Sequence, residues 1–307
     1  MIITRTPLSI KILGFFTDHK NWYEENSGST IGLCLNKYVY VLGRFFNNYE
    51  KKQEDNCEYI KAVKAYLKII KISSEDINIE YFCDLPNNSG LCFKQSLIIG
   101  ILKTILCLKK IYFSNKQLSL TCNDIIINYL KEECFISDSF FCTNGGLNYS
   151  KIDKFGNVLL AAIKVNKDQI QALINRIGLF YLGDFQIKHE IPNKQKNKEI
   201  WSIFKHCDDG ISNLCNQIDI KSLINNISYS AKIKNTSFIL QKDSIHDEFA
   251  NKCTFSKVST YDIDSDGKFG LIYNSDEIKS NNLNLLNCFN KIDFSLDFFG
   301  SSIILCE

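Results

Sequence analysis

STIGLCLNKYVYVLGRFF, residues 29–46, is the stretch that decides the fold. Its apolar and aromatic side chains alternate with small or polar ones over much of its length, which sends one set to a buried strand face. Upstream, Ile2 to Leu13 has β-branched character and reads as a first strand, with a Gly-Phe-Phe-Thr-Asp turn at 14–18. Downstream, Tyr59 to Ile70 carries apolar residues at helical spacing, and Ile77 to Cys83 reads as a strand. The turn cluster DLPNNSG, residues 84–90, leads into an apolar helix beginning near Phe93. A second helix is expected from about Lys116 to Glu132, capped by Ser114 or Asn115. Gly145-Gly146 breaks the chain before strands near Leu147–Ile152 and Val158–Ile163. Beyond a strand at Ile177–Leu182, helices are expected near Asn197–His206 and Asp219–Asn226, then short strands at Phe269–Tyr273, Phe294–Phe298 and Ser302–Cys306. No internal repeat is visible. The mixture predicts an α+β chain of two packed halves, residues 1–170 and 171–307.

Composition narrows the function classes. With 45% hydrophobic, 12% aromatic and 23% charged residues, the chain has enough apolar side chains to fill a core and is not disordered. The 36 Lys+Arg nearly balance the 34 Asp+Glu, so there is no electrostatic footprint for nucleic acid or an acidic membrane surface. The longest apolar run, SLIIGILKTILCL at 96–108, contains Lys103 and is too short to span a bilayer. The amino-terminal stretch is interrupted by Arg5 and Lys11 and has no cleavage site of a signal peptide. The 13 cysteines are odd in number and form no CxxC pair, which predicts reduced core thiols in a cytoplasmic protein rather than a metal site.

The chemistry-bearing unit is the strand, polar turn and helix around residues 77–109. A helix amino terminus behind a glycine turn presents free N–H groups and the positive end of a dipole, which suit a phosphate. Two other constellations invite a metal. Asp262, Asp264, Asp266 and Gly267 match the start of a Ca²⁺ loop, but position twelve is Tyr273, where a bidentate Glu belongs, and the flanks read as strands. His206-Cys207-Asp208-Asp209 has no partner motif. The basic clusters Lys109-Lys110 and Lys194–Lys198 are short and read as solvated faces.

Six segments in order resemble the GHMP sugar kinases, nearest the heptose 7-phosphate kinase branch. RTPLSIKILGFFTD at 5–18 is similar to RAPLRISFAGGGTD, and GSTIGLCLNKYVYV at 28–41 to GGxVLSxxINKYVYV. PNNSGLCFKQS at 86–96 falls on PxGSGLGSSSA, and FISDSFFCTNGGLNY at 135–149 on GKQDQYAAAFGGLNF. GLFYLG at 178–183 and FSLDFFGSSII at 294–304 complete the set. The resemblance implies a GHMP-kinase-like α+β fold, with an amino-terminal α+β domain and a ferredoxin-like carboxy-terminal domain. It implies ATP and Mg²⁺ as cofactors and a sugar or sugar phosphate as acceptor. Carried over by position, it makes Asp138 the base or orienter of the acceptor hydroxyl. Thr17 and Asp18 fall at the acceptor sugar, and Asn88, Ser89, Gly90, Leu91, Lys94 and Ser96 around the nucleotide phosphates.

The reaction centre departs from that pattern. Ser9 stands where the first motif has Arg, Phe15 and Phe16 replace small glycines, and Cys92-Phe93-Lys94-Gln95 replaces Gly-Ser-Ser-Ser. The stretch ending Ser265-Asp266-Gly267-Lys268-Phe269 lacks most glycines of the family's last loop. Three readings stand open. The chain is a kinase for a heptose phosphate or related sugar. It is a pseudokinase that binds sugar or serves as a scaffold. Or it is a kinase with a repurposed loop, in which Lys94 offers charge and Lys11 stands in for the basic residue lost at Ser9. Residues 9 and 11 share a strand face but lie about 7 Å apart, which counts against the last version.

Overall fold

The computed structural model describes residues 1–14, 16–46, 57–86, 90–183, 220–237, 244–256, 258–263, 268–274, 278 and 286–307. Phe15, Asn88, Ser89, the Asn197–His206 segment, the Lys194–Lys198 cluster, His206 to Asp209 and the Asp264 to Gly267 turn lie outside them. In chain order the elements are β1 (Ile2–Leu13), α1 (Lys20–Asn26), β2 (Gly28–Phe45), α2 (Glu58–Ile69), β3 (Ile77–Cys83), α3 (Phe93–Leu108), α4 (Asn115–Asp124), α5 (Ile136–Asn144), β4 (Leu147–Ile152), β5 (Val158–Ala162) and α6 (Lys167–Ile174). They continue as β6 (Ile177–Tyr181), α7 (Ile220–Ser237), α8 (Ser244–Phe255), β7 (Thr260–Ile263), β8 (Phe269–Tyr273), β9 (Asn290–Ile292) and β10 (Ser302–Cys306).

β2 organises the first sheet, whose order is β10-β1-β2-β4-β5. The strand is long enough to serve two partners along one edge. Its first part, Gly28 to Leu33, pairs with β4, and its last part, Val39 to Phe45, pairs with β3. Its other edge runs antiparallel to β1, with register shifts between Pro7 and Ser9 and between Lys11 and Leu13. The second sheet has the order β7-β8-β6-β9, with antiparallel pairing throughout. Taken in chain order its strands lie second, third, first, fourth, which is the ferredoxin-like arrangement.

α3 fills the space behind the first sheet. Leu97, Ile98, Ile99, Ile101, Leu102 and Ile105 are wholly buried, as expected of an apolar run too short for a membrane. Each such side chain contributes about 1.5–3 kcal/mol relative to exposure. The approach is close because Gly100 has no side chain: a Cβ there would lie 2.8 Å from Val41 Cγ2. The expected cap of α4 is Ser114, in a capping box with Gln117. That helix then loosens into a π turn over Ile125–Tyr129. Among the described residues no helix is long and apolar enough to cross a membrane, and all eleven described cysteines are free thiols.

The expected strand at Phe294–Phe298 does not form. Only Leu296 bridges to Leu35, and Asp297 then turns the chain. Its Oδ1 accepts from Phe299 N at 3.0 Å and Gly300 N at 2.7 Å, its Oδ2 accepts from the Tyr38 hydroxyl at 2.9 Å, and its own N–H donates to Cys34 O. This knot carries the last strand, β10, back to the first sheet, where it pairs with β1. The alternation of FSLDFFG reads as a strand because apolar residues flank the aspartate, yet a carboxylate accepting consecutive backbone N–H groups makes a turn. Asp297→Ala should remove these bonds while leaving their donors enclosed. A loss of about 1–3 kcal/mol is expected in urea unfolding, and an unchanged midpoint would show that the knot carries no stability.

Candidate active site

The turn at residues 14–18 is clamped onto the start of β2. Gly14 takes φ 80°, and a Cβ there would lie 2.0 Å from Ser29 O. Only glycine fits that approach. Thr17 is enclosed, and its hydroxyl lies 2.9 Å from Gly14 O and 2.7 Å from Ser29 O, and accepts from Ser29 N at 3.2 Å. The Thr17 side chain therefore fastens the turn to β2.

That clamp delivers Asp18 into the interior. Both of its carboxylate oxygens accept from Lys11 Nζ, at 2.9 and 2.7 Å, and Ser137 donates to Oδ2 from its hydroxyl and, at 3.3 Å, from its backbone N–H. Behind Ser137 runs a buried row of hydroxyls: Thr30 donates to Ser137 Oγ at 3.0 Å and lies 2.6 Å from Ser150 Oγ. Ser137 occupies a position where the resembling pattern has Gln, and only the fold shows that it anchors Asp18.

Lys11 reaches a second carboxylate as well. Its Nζ also lies 3.1 Å from Asp138 Oδ1 at the start of α5, and both side chains are about nine-tenths enclosed at 10% exposure. That oxygen is buried, and its neighbours are the Lys11 ammonium and the Cys92 thiol; beyond them no donor among the described residues reaches it. Burial pushes the Asp138 carboxyl up to about 6; Lys11 opposes the rise and Asp18 adds to it. Burial alone would lower Lys11, but Asp138 and Asp18 outweigh it and hold the ammonium firmly protonated.

The amino terminus of α3 borders the same group. Gly90, Leu91 and Cys92 all take left-handed backbone, at φ 77°, 52° and 61°. Leu91 O accepts from Ser9 N at 3.0 Å, which ties this turn to β1. The Cys92 thiol lies beside Asp138, and Ser9 Oγ lies 3.3 Å from Cys142 Sγ. Thus a serine and two thiols occupy the space behind the carboxylate, where the resembling pattern puts Arg and small residues. Phe93 points into the core. Ser96 is enclosed and donates to Pro7 O at 2.7 Å, so its hydroxyl fixes α3 to β1. Lys94 pairs with Glu132 after the π turn.

Of the residues expected from sequence, Asp18 and Asp138 are thus brought together, with Gly90 and Leu91 in the adjoining turn. Thr17, Lys94 and Ser96 are turned to other partners, and Asn88 and Ser89 lie outside the described residues. The first turn of α3 suits an anion through its backbone N–H groups. The described residues gather no group of three His, Cys, Asp or Glu for a divalent cation. Asp262 lies in β7, where its Oδ1 accepts from the backbone N–H of Ile263, while the rest of its acidic turn lies outside the described residues.

No protein-family model matches the chain, and no curated protein matches it. Solved structures do. The chain is similar to a D-glycero-D-manno-heptose 1-phosphate kinase from Bacteriodes thetaiotaomicron at 14% identity and TM-score 0.80, with 100% of each chain covered. It is similar to a mevalonate kinase from Methanococcus jannaschii at 13% identity and TM-score 0.67, covering 96% of this chain and 98% of that one. A homoserine kinase from Cytophaga hutchinsonii gives 11% identity and TM-score 0.61, with 99% and 97% covered. Identity this low speaks to architecture, and over its whole length the chain has the GHMP-kinase-like α+β fold.

Proposed function

We propose that the chain is an ATP-dependent small-molecule kinase that phosphorylates a hydroxyl of a sugar or sugar phosphate in the cytoplasm, with residues 1–170 carrying the site. The observation that carries this reading is Asp138: a buried carboxylate beside the Lys11 ammonium and the Cys92 thiol, its hydrogen-bonding capacity incompletely filled, next to a helix amino terminus. An acceptor hydroxyl adds a donor to that incompletely filled carboxylate. MgATP, when bound, supplies the phosphoryl group and the divalent cation. The N–H groups of Leu91, Cys92, Lys94 and Gln95 hold phosphate oxygens at the helix end, while that of Phe93 is taken by Gly90 O. Asp138 orients the hydroxyl and takes its proton as the oxygen bonds to phosphorus and the bond to the ADP oxygen breaks. Lys11, fixed by Asp18, places positive charge where negative charge builds on the phosphoryl oxygens. Here Lys11 performs the task that the family pattern gives to the residue at Ser9.

A second reading, a sugar-binding pseudokinase, draws on Lys94 and Ser96. Both are committed to other partners, and no cation site gathers among the described residues. Coupled ADP release with MgATP across a panel of sugars and sugar phosphates separates the two. Turnover abolished by Asp138→Asn supports the kinase; tight sugar binding with no turnover on any acceptor supports the pseudokinase.

The electrostatics give two further expectations. The rate should climb as pH rises through about 6, where Asp138 ionises, and level off above; a rate independent of pH between 5 and 8 would remove Asp138 as the base. Stability runs the other way. A carboxyl whose pKa is raised on folding binds its proton more tightly in the folded state, so its contribution favours the fold at low pH and fades as pH rises towards 6. Asp138→Asn also leaves a balanced Lys11–Asp18 pair. It should therefore lose about 10²–10³ in kcat while its thermal midpoint at pH 7.5 stays level or rises. Lys11→Met strands two carboxylates and should lower both rate and midpoint; a stable, fully active variant would contradict the arrangement.

A further inference from the structure

α3 and β10 meet near their carboxy-terminal ends through two cysteines. Ile2 of β1 pairs with Gly43 of β2 on one side and with Cys306 of β10 on the other. Residues opposite one another in adjacent strands turn their side chains to the same face of the sheet. α3 covers that face: Ile2 is buried, and a Cβ at Gly43 would lie 2.3 Å from Thr104 Cγ2 and 3.2 Å from Leu108 Cδ1. Cys306 therefore looks towards α3 from the rim of the area that the helix covers. Its strand end is held in register, because Glu307 N donates to Met1 O at 2.9 Å and Met1 N donates to Glu307 O at 2.6 Å.

The helix turns a matching face to the strand. Lys103 and Cys107 are four residues apart, one above the other on α3. Lys103 Nζ donates to the carbonyl of Ser301, the residue before β10. Cys107 follows one turn further on, and its thiol lies within hydrogen-bonding reach of the Cys306 thiol. Both are free thiols, Cys107 half-buried and Cys306 exposed.

We propose that Cys107 and Cys306 form a reversible disulfide, fastening the last strand to α3, when the chain meets a low-molecular-weight disulfide such as oxidised glutathione. Bonded sulfurs lie about 2 Å apart, a distance that the exposed Cys306 side chain closes by turning about χ1. The Cys306 thiolate attacks one sulfur of the small disulfide, whose S–S bond breaks to release one thiolate. The Cys107 thiolate then attacks Cys306 Sγ in the mixed disulfide and expels the second. Two protein thiols give up two protons and two electrons, and one small disulfide becomes two small thiols. Exposure sets the order. Burial and the neighbouring Cys306 thiol push the Cys107 thiol up, while Lys103 opposes them. Capping Cys306 removes its share of that rise and readies Cys107 for the second step. The bond closes a loop of about 200 residues, and long loops lose most unfolded-state freedom when closed. It lies about 20 Å along α3 from the turn at Cys92, so it acts on the hold of the strand.

The full chain, incubated with oxidised glutathione and digested without reduction, should yield a peptide joining Cys107 to Cys306 by mass spectrometry. Two of the chain's 13 thiols should be lost to titration, and reduced glutathione should restore them. The thermal midpoint of the oxidised chain should rise by about 5 °C over the reduced one, and Cys306→Ser should abolish that rise. Cys107→Ser should trap the glutathione adduct on Cys306. Absence of the joined peptide in the unsubstituted chain, arrest there at a glutathione adduct, or a link between two chains instead overturns the proposal. So does a midpoint that oxidation leaves unchanged, since the bond would then fasten nothing.

Discussion

The ammonium of Lys11, held in the interior between Asp18 and Asp138, is the interaction on which the rest of the site depends. A single buried ion is costly, and a pair is tolerable only where geometry and further hydrogen bonds complete it. Asp18 is completed on every side, by Lys11, by the Ser137 N–H and hydroxyl, and by the hydroxyls behind. Asp138 is not. The contrast between a saturated carboxylate and a less filled one, on either side of one cation, underlies the proposed division of labour: the first fixes the cation, and in the kinase reading the second takes part in the chemistry. The clamp at Gly14, Thr17 and Ser29 exists in the service of that division, because it sets Asp18 at the right depth.

Much of the architecture could be read from the chain because it rests on local signals. Alternation marked β2, the apolar run marked α3, and Ser114 with Gln117 marked a helix start. Those signals act over a few residues, and tertiary contacts reinforce rather than oppose them. The turn at Asp297 was illegible because it depends on Tyr38 and Cys34, far away in sequence. The site was half legible. Asp138 and Asp18 follow from motif order. The pairing of Lys11 with both Asp18 and Asp138 was not legible, because strand spacing measures backbone and neglects the reach of a four-carbon side chain. Ser137 had no sequence signal of its own; it meets Asp18 only because α5 and the 14–18 turn converge. Thr17 and Ser96 fit the motif by position, yet their hydroxyls bind backbone carbonyls, which no pattern of residue types discloses.

α3 shows how packing and chemistry share an element. Its middle lies close on β1 and β2, which Gly100 permits, and in the proposed reading its first turn meets an anion. The substitutions at Cys92 and Phe93 respect both demands. Phe93 turns inward and adds to the core, while Cys92 adopts the left-handed backbone that a glycine would take more easily. Cys92-Phe93-Lys94-Gln95 stands where the resembling pattern has Gly-Ser-Ser-Ser, so in the proposed reading a phosphate is met by main-chain N–H groups, which no substitution other than proline removes.

The pairing of β1 with β10 reaches beyond the site. β1 is made first, and β2 covers one of its edges early, but the other edge finds its mate only among residues 302–306. While the ribosome is still at work, the nascent sheet presents an unsatisfied row of amides and carbonyls, the kind of border along which strands from neighbouring chains join. Strand closure is a late, long-range event that slows maturation. A truncation that spares every residue around Asp138 but removes this last strand would thus leave an adhesive margin on the very sheet that carries Lys11.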